Sequence, residues 1–496
     1  MTSLDQLCRD ALAGDPDRAA LEFEGQWINW GTLGELADKQ AVALDASGAA
    51  GGKVAFVARN RPSAIAAFIG LLARGCQIRM VYPFQSAEAL AADLAKIKPA
   101  VVVADRQDFS EPVTSMLCAA GIAAIDLDDS GASALRTNKR SAGTVDTADS
   151  EPAVEILTSG TTGAPKPVPL SYDFIAREIV GKSQLPPELR GGGQDLPPAL
   201  LMFPVSNISG LYSTLPPLLS GQRVVLLEKF TVEAWHDFVL RFQPAVSGMP
   251  PAGIQMVLDA DIPPQDLSCL RTLGTGAAPL DPDVQRAFET RYGIPILLSY
   301  GATEFAGPVA RMTPDLITEW GKSKHGSVGR AMPGVKLRII DADTGKELPP
   351  NEQGLLEVIT ERKGPDWIRT SDLARIDEDG FLFLLGRADG AIIRGGFKLL
   401  PATIEHALLQ HPSVSHTAVV AIPDRQLGQV PAAAIECRAG ASIPTLAELE
   451  KHLRDRLPAT HIPAQWRVVD ALPRTPSVKI DLPAVRNLFA TSNSDD

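Results

Sequence analysis

Residues 156–174 read ILTSGTTGAPKPVPLSYDF. The run AVEIL just ahead of the loop, residues 153–157, reads as a strand. Pro165, Pro167 and Pro169 lack a backbone N–H and forbid a helix, so the chain leaves the loop extended. The segment Thr158-Ser159-Gly160-Thr161-Thr162-Gly163-Ala164-Pro165-Lys166 therefore joins two extended segments. A turn alone needs roughly two or three such residues. Tracts of Ser, Thr and Gly are commonly flexible connectors. Glycine-freed N–H groups, hydroxyls and an ammonium also suit a polyphosphate. A Walker loop is excluded, because no glycine precedes Lys166 and no helix follows it. Taken alone, the stretch leaves connector and anion cradle both open.

The chain of 496 residues has room for about two to four structural units. Its 45% hydrophobic and 21% charged residues are an ordinary globular balance. A net charge of −12 speaks against a broad basic face for nucleic acid or anionic membranes, so any anionic ligand needs a local site. Cys8, Cys76, Cys118, Cys269 and Cys437 are scattered and form no CxxC pair. They read as buried, reduced thiols of a cytoplasmic protein. The opening MTSLDQLCRDALAG carries acids and no apolar core, unlike a signal peptide. The longest apolar run, AIAAFIGLLA from Ala64 to Ala73, is about half the length of a membrane span and reads as a buried helix.

Apolar runs such as KVAFVAR, AVVVAD and QRVVLL alternate with amphipathic segments, which predicts βαβ units and parallel-type sheets. From about Gly329 the texture changes to antiparallel strands joined by Asp/Gly/Pro turns. After Gly386 follows a compact block with a helix in PATIEHALLQH, a strand in HTAVVAI and a charged helix in TLAELEKHLRDRL. The expected organisation is α/β. A large N-terminal region, 1–386, carries an antiparallel β subdomain, and a small mobile α+β lid spans 387–496, with the boundary near Arg387–Gly390.

Four more stretches stand out. TLGTGAAPL, Thr272–Leu280, is either a strand ending in a tight turn or a flat wall for a base. It fits the dinucleotide fingerprint poorly, since Pro279 stands where a third glycine belongs. LLSYGATEFAG, Leu297–Gly307, ends an apolar strand in a Tyr, a Thr and an acid. Ligands of open parallel sheets sit at such carboxyl ends. Tyr300 can stack on a base there and Glu304 can reach a metal, or the pair is a core ring and a solvated charge. Asp372, Arg387 and Asp389 sit beside turns, RGGFK fits a hairpin, and PRTPSVKID ends in Lys479. Each of these also reads as plain surface.

In this order and spacing, the five motifs resemble the acyl-adenylate-forming superfamily: acyl-CoA synthetases, luciferases and peptide-synthetase adenylation domains. LLARGCQIRMVYP and SVGRAMPGVKLRIID match framework segments of the same family, so the resemblance covers nearly the whole chain. It implies that Thr158 to Lys166, Thr161 among them, cradle pyrophosphate. It places Gly276-Ala277-Ala278 and Ser299-Tyr300-Gly301 around adenine, Thr303 near the α-phosphate, and Glu304 on Mg²⁺. It gives Asp372 and Arg387 to the ribose, Asp389 to a hinge, and Gly395, Gly396 and Lys398 to the acceptor. It also implies that Lys479 bridges the attacking carboxylate and the α-phosphate. Four positions depart from the pattern: Pro167 after the loop lysine, Ser371 before the ribose carboxylate, Val478 before the catalytic lysine, and Asn207. Acyl-CoA synthetases often have His at that last position and amino-acid-activating domains Asp. Without that Asp, an α-ammonium has no buried partner.

The implied function is ATP-dependent activation of a carboxylic acid through an acyl-adenylate, with ATP and Mg²⁺. Transfer to CoA leads, on the strength of Gly395, Gly396 and Lys398. Transfer to an amine is the alternative, with a carrier protein third and an adenylate-binding protein without turnover last. The expected acid pocket is Asn207, Ile208, Gly248, Met249, Gly276, Gly301, Ala302 and Ala306, which suits an uncharged aromatic, bicyclic or aliphatic acid.

Overall fold

The computed structural model describes residues 2–49, 51–135, 151–157, 167–181, 196–277, 280, 282–342, 344–387, 391–399, 401–438, 440–473 and 482–490. A seven-stranded sheet grows around Val54–Val57, whose four side chains are all buried. Ile78–Val81 and Val101–Asp105 flank it in parallel. Ala153–Leu157 and Ala123–Asp128 extend the parallel set, and Pro167–Ser171 and Gly131–Leu135 close the edges antiparallel. An apolar run without alternation is what a parallel strand covered on both faces requires. The helix Pro62–Ala73 is part of that core, and every residue in it is buried. That explains why AIAAFIGLLA has no polar face. Among the described residues, no helix is long and apolar enough to cross a membrane. Pro167 and Pro169 occupy alternate positions of an edge strand, opposite Leu157 and Glu155. Both missing N–H groups can thus fall on the open side, where no ladder bond is lost.

A second sheet runs Ala199–Leu201, Val224–Leu226, Ala19–Phe23, Gln26–Asn29, parallel except at its last strand. A third, more central to function, runs Val246–Gly248, Thr272–Gly276, Ile296–Ala302, Gly307–Arg311, Arg330–Ala331. Its first three strands are parallel and its last two antiparallel. The texture change near Gly329 corresponds to an antiparallel sheet of Val335–Ile340, Gly354–Thr360, Gly364–Ile376 and Leu382–Arg387. Beyond it, Phe397–Leu399, Ile392–Arg394, Gly428–Cys437 and Val414–Asp424 form the last sheet, with Gln465–Val469 added in parallel. Its helices start as their sequences require: Pro401 opens Pro401–Leu409, and a capping box between Thr445 and Glu448 opens Leu446–Arg454.

All five cysteines are unpaired. Burial pushes the Cys8 thiol up to about 12 and the Cys76 thiol up to about 11. The expectation of burial holds fully for Cys8; Cys76, Cys269 and Cys437 are half-buried, and Cys118 corrects it outright. Its helix, Glu111–Ala120, turns only Val113 and Leu117 inward and leaves Cys118 exposed.

Candidate active site

One cleft of about 2140 Å³ runs between the carboxyl ends of the third sheet and the face of the last. Its floor begins where Thr272–Gly276 and Ile296–Ala302 lie side by side, with Gly276 opposite Ser299. A Cβ on Gly276 would run into Ser299 Oγ, so only glycine lets the two strand ends meet. Ala277, at φ 67°, follows the first strand and Ala306, at φ 57°, closes the turn after the second, both non-glycine residues in the left-handed region. Such backbone is costly and persists where the surroundings over-determine it. Between Ala302 and Ala306, Thr303–Phe305 make a single tight turn that presents Glu304 to the cleft. Glu304 makes no hydrogen bond or ion pair within the described residues. The ammonium of Lys363 is pulled down by burial, and the Glu304 charge opposes that shift.

The ribose side comes from the antiparallel sheet. Asp372 lies opposite Arg387 in the register of Gly364–Ile376 and Leu382–Arg387, which makes the two cross-strand neighbours. Tyr300 reaches across from the third sheet, and its phenol donates to Asp372 Oδ2 at 2.5 Å. The Asp372 amide donates to Thr370 Oγ1 at 3.0 Å, which helps fix the backbone that aims the carboxylate.

The opposite wall is the loop 203–207. Asn60, 3% exposed, holds it from the bend between the strand Val54–Val57 and the helix Pro62–Ala73. Its Nδ2 donates to the carbonyls of Phe203 and Leu227, and its Oδ1 accepts from Val205 N. Asn207 then caps the helix Ile208–Leu219, its Oδ1 accepting from Gly210 N at 2.7 Å.

The cleft is closed by a hairpin, Ile392–Arg394 and Phe397–Leu399, whose turn is Gly395-Gly396. Both glycines have positive φ, 54° and 88°, as the tightest hairpin turn demands. A Cβ on Gly396 would stand 3.9 Å from Ala277 O, so the hairpin tip lies over the end of the Thr272–Gly276 strand. Phe397 meets Tyr82 edge-on with ring centroids 5.6 Å apart. Burial pushes the Tyr82 phenol up to about 12. Arg394 donates to the carbonyls of Thr460 and Ile462. Between those two residues, His461 faces the cleft, its imidazole pushed down to about 4 by burial and by Arg394.

Over residues 8–361 the chain matches the family described as AMP-binding enzyme, and over 403–479 the AMP-binding enzyme C-terminal domain. The chain belongs to the AMP-binding enzymes of the acyl-adenylate-forming superfamily. It is an AMP-forming, carboxylate-activating enzyme. A long-chain-fatty-acid–CoA ligase of Bacillus subtilis is 25% identical over 533 residues, 96% of this chain and 93% of its own. A 2-succinylbenzoate–CoA ligase of Geobacillus kaustophilus is 31% identical over 359 residues, 68% of this chain and 69% of its own. The amide bond synthetase of Marinactinospora thermotolerans superposes with a TM-score of 0.80 at 27% identity, over 97% of this chain and 99% of its own.

In this AMP-binding enzyme the cleft brings together Asn207, Ile208, Gly276, Ala277, Ser299, Tyr300, Gly301, Ala302, Thr303, Glu304, Asp372, Gly395 and Gly396. Three expected wall residues are elsewhere. Met249 is wholly buried in the core under the third sheet. Gly248 pairs with Gly274 of the neighbouring strand, and a Cβ on it would stand 3.2 Å from Gly274 O. Ala306, at the left-handed turn, faces away toward Phe174 and Arg362. Thr158–Lys166, Ala278, Asp389 and Lys479 lie outside the described residues, and of Arg387 and Lys398 only the backbone is described. Glu304 fits Mg²⁺, a hard cation commonly held by one carboxylate while substrate phosphates supply further oxygens. Sequence reasoning missed Asn60, Tyr82 and Phe397. Asn60, in ARNRP, carried a faint signal as an amide placed between a strand and a buried helix.

Proposed function

We propose that this enzyme passes its activated acid to an amine and so makes an amide bond. One observation supports the choice above others: the likeness to an amide bond synthetase spans nearly all of both chains. Charge points the same way. Among the described residues of the cleft, Lys96, Lys229, Arg369 and Arg456 stand beside Glu88, Glu228, Glu304, Asp372 and Asp455. That lining has no positive excess for the phosphates of CoA, and an amine needs none.

In the first step a carboxylate oxygen of the acid attacks the α-phosphorus of ATP. An O–P bond forms as the bond to pyrophosphate breaks. Thr158–Lys166 would hold the departing pyrophosphate, Asp372 the ribose, and Gly276, Ala277 and Tyr300 the adenine. Lys479 would sit between carboxylate and α-phosphate, where two anions otherwise repel each other. Glu304 would hold Mg²⁺, whose charge offsets that gathered on the phosphates. In the second step a neutral amine nitrogen attacks the acyl carbon. The C–N bond forms, the C–O bond to AMP breaks, AMP leaves with the electron pair, and the amine proton passes to solvent. A swing of the segment after residue 386 about Asp389 would exchange Lys479 for the Gly395-Gly396 hairpin between steps. The five unpaired cysteines support a cytoplasmic setting for this chemistry.

Transfer to CoA is the second reading. The names of the curated relatives favour it, as does the hairpin tip lying over Ala277. The test is an acid panel with ATP, run with CoA or with simple amines and read by mass spectrometry. The proposal expects amides with amines and little thioester with CoA. Faster thioester formation would replace it with the second reading. No ATP cleavage with any acid would leave only nucleotide binding.

A further inference from the structure

A buried hydroxyl without a partner marks the acid side of the cleft. Ser206 is 8% exposed and lines the cleft. Its Oγ hydrogen-bonds to no protein atom among the described residues. Buried polar atoms in folded proteins are nearly always paired, and an unpaired one carries its full desolvation cost. Ser206 is also firmly placed. On one side Asn60 clasps Val205 N and the Phe203 carbonyl, and on the other Asn207 starts the helix Ile208–Leu219.

The Asn207 amide is oriented by its place at the helix start. Gly210 N occupies Oδ1, and this assigns the orientation of the group. That leaves Nδ2, which donates and never accepts, as the amide's donor end for a ligand, beside the second lone pair of Oδ1. The cleft lining also holds the apolar Phe203, Ile208 and Phe230, with Glu228 and Lys229 of opposite charge.

We propose that Ser206 Oγ–H and Asn207 Nδ2–H read a hydrogen-bond acceptor on the acid, which makes Ser206 a specificity-determining residue. The substrate class is then a flat, uncharged acid carrying a ring nitrogen, an ether oxygen or a carbonyl oxygen. A pure hydrocarbon acid would leave the Ser206 hydroxyl buried and unpaired. An ammonium would meet a donor at Asn207. The proposal rests on acyl-adenylate formation and not on whether the acceptor is an amine or CoA.

Pyrophosphate release by the full chain with ATP and Mg²⁺, and with neither amine nor CoA present, reads the acid alone. The probes are pairs of like shape: benzoic against pyridinecarboxylic acid, naphthoic against quinolinecarboxylic acid, and ethylphenylpropionic against methoxyphenylpropionic acid. In at least one pair the acceptor-bearing member should have a kcat/KM higher by about tenfold or more. Ser206→Ala should cut that ratio to about threefold or less, and Ser206→Thr should keep it. Asn207→Asp keeps the helix cap but replaces the donor by an acceptor, and should abolish the preference. Thermal unfolding of each variant establishes that the fold is intact. Equal rates in every pair, or a ratio untouched by Ser206→Ala, would overturn the proposal, the hydroxyl then being satisfied by water. Should no acid release pyrophosphate, the acyl-adenylate reading itself fails. Calorimetric binding of the same pairs then decides this proposal separately: tighter binding of the acceptor member, lost in Ser206→Ala, supports it, and equal binding refutes it.

Discussion

Tyr300→Phe tests how the nucleotide wall is held. The phenol donates to Asp372 Oδ2 at 2.5 Å, joining the Ile296–Ala302 strand to the Gly364–Ile376 strand of a different sheet. Tyr300 is 9% exposed, so water competes weakly for the bond. A hydrogen bond to a carboxylate contributes about 1.5–3 kcal/mol. If that energy holds Asp372 toward the ribose, kcat/KM for ATP should fall roughly 10- to 150-fold, at tenfold per 1.4 kcal/mol. The ring remains, with its contact to Phe305 at 6.1 Å between centroids, so the unfolding temperature should change by only about a few degrees. The assay is acid-dependent ATP–pyrophosphate exchange, run with ATP and with dideoxy-ATP. Dideoxy-ATP offers Asp372 no ribose hydroxyl, so wild type and variant should agree on it within about twofold. An equal loss on both nucleotides, or no loss on ATP in a folded variant, would refute the ribose role of this pair.

Three further outcomes are expected. Glu304→Gln keeps the size of the side chain and loses its charge. Turnover with Mg²⁺-ATP should drop on the order of 100-fold with little change in unfolding temperature, and a drop under about twofold would remove Glu304 from the metal site. Lys479→Ala should stop acyl-adenylate formation while sparing the reaction of supplied acyl-adenylate with the acceptor. Equal loss in both half-reactions would give this lysine another role. His461 is held near 4 in the fold, below its ordinary 6.5, mainly by burial. The unfolded chain therefore takes up a proton first as pH falls, so stability declines from 6.5 toward 4 by on the order of 3 kcal/mol. His461→Gln should flatten unfolding temperature against pH across that window, and parallel curves for variant and wild type would rule out this contribution.

What the sequence by itself determined is short-range. Prolines at 165, 167 and 169 required extended chain, and Pro167 and Pro169 sit on a sheet edge where their missing donors cost nothing. The Gly395-Gly396 pair specified a hairpin, and the Thr445–Glu448 spacing specified a helix start. These signals act through φ, ψ and bonds spanning a few residues, which is why they are legible in order along the chain. The ordered set also sufficed to place the chain among the acyl-adenylate-forming enzymes. Only the tertiary structure decided which side chains face the cleft. Met249 stands just before the cleft-lining Pro250 and Pro251 yet turns into the core, where the packing beneath the third sheet takes it. Asn60 clasps a loop more than 140 residues away, and Phe397 meets Tyr82 across an even longer separation. Asn207 was legible as polar. That it presents a donor follows from the helix it caps, and that Ser206 stands unpaired beside it follows from what the surrounding chain leaves empty. Such facts depend on distant segments excluding water from one place, and no local pattern of residues encodes that.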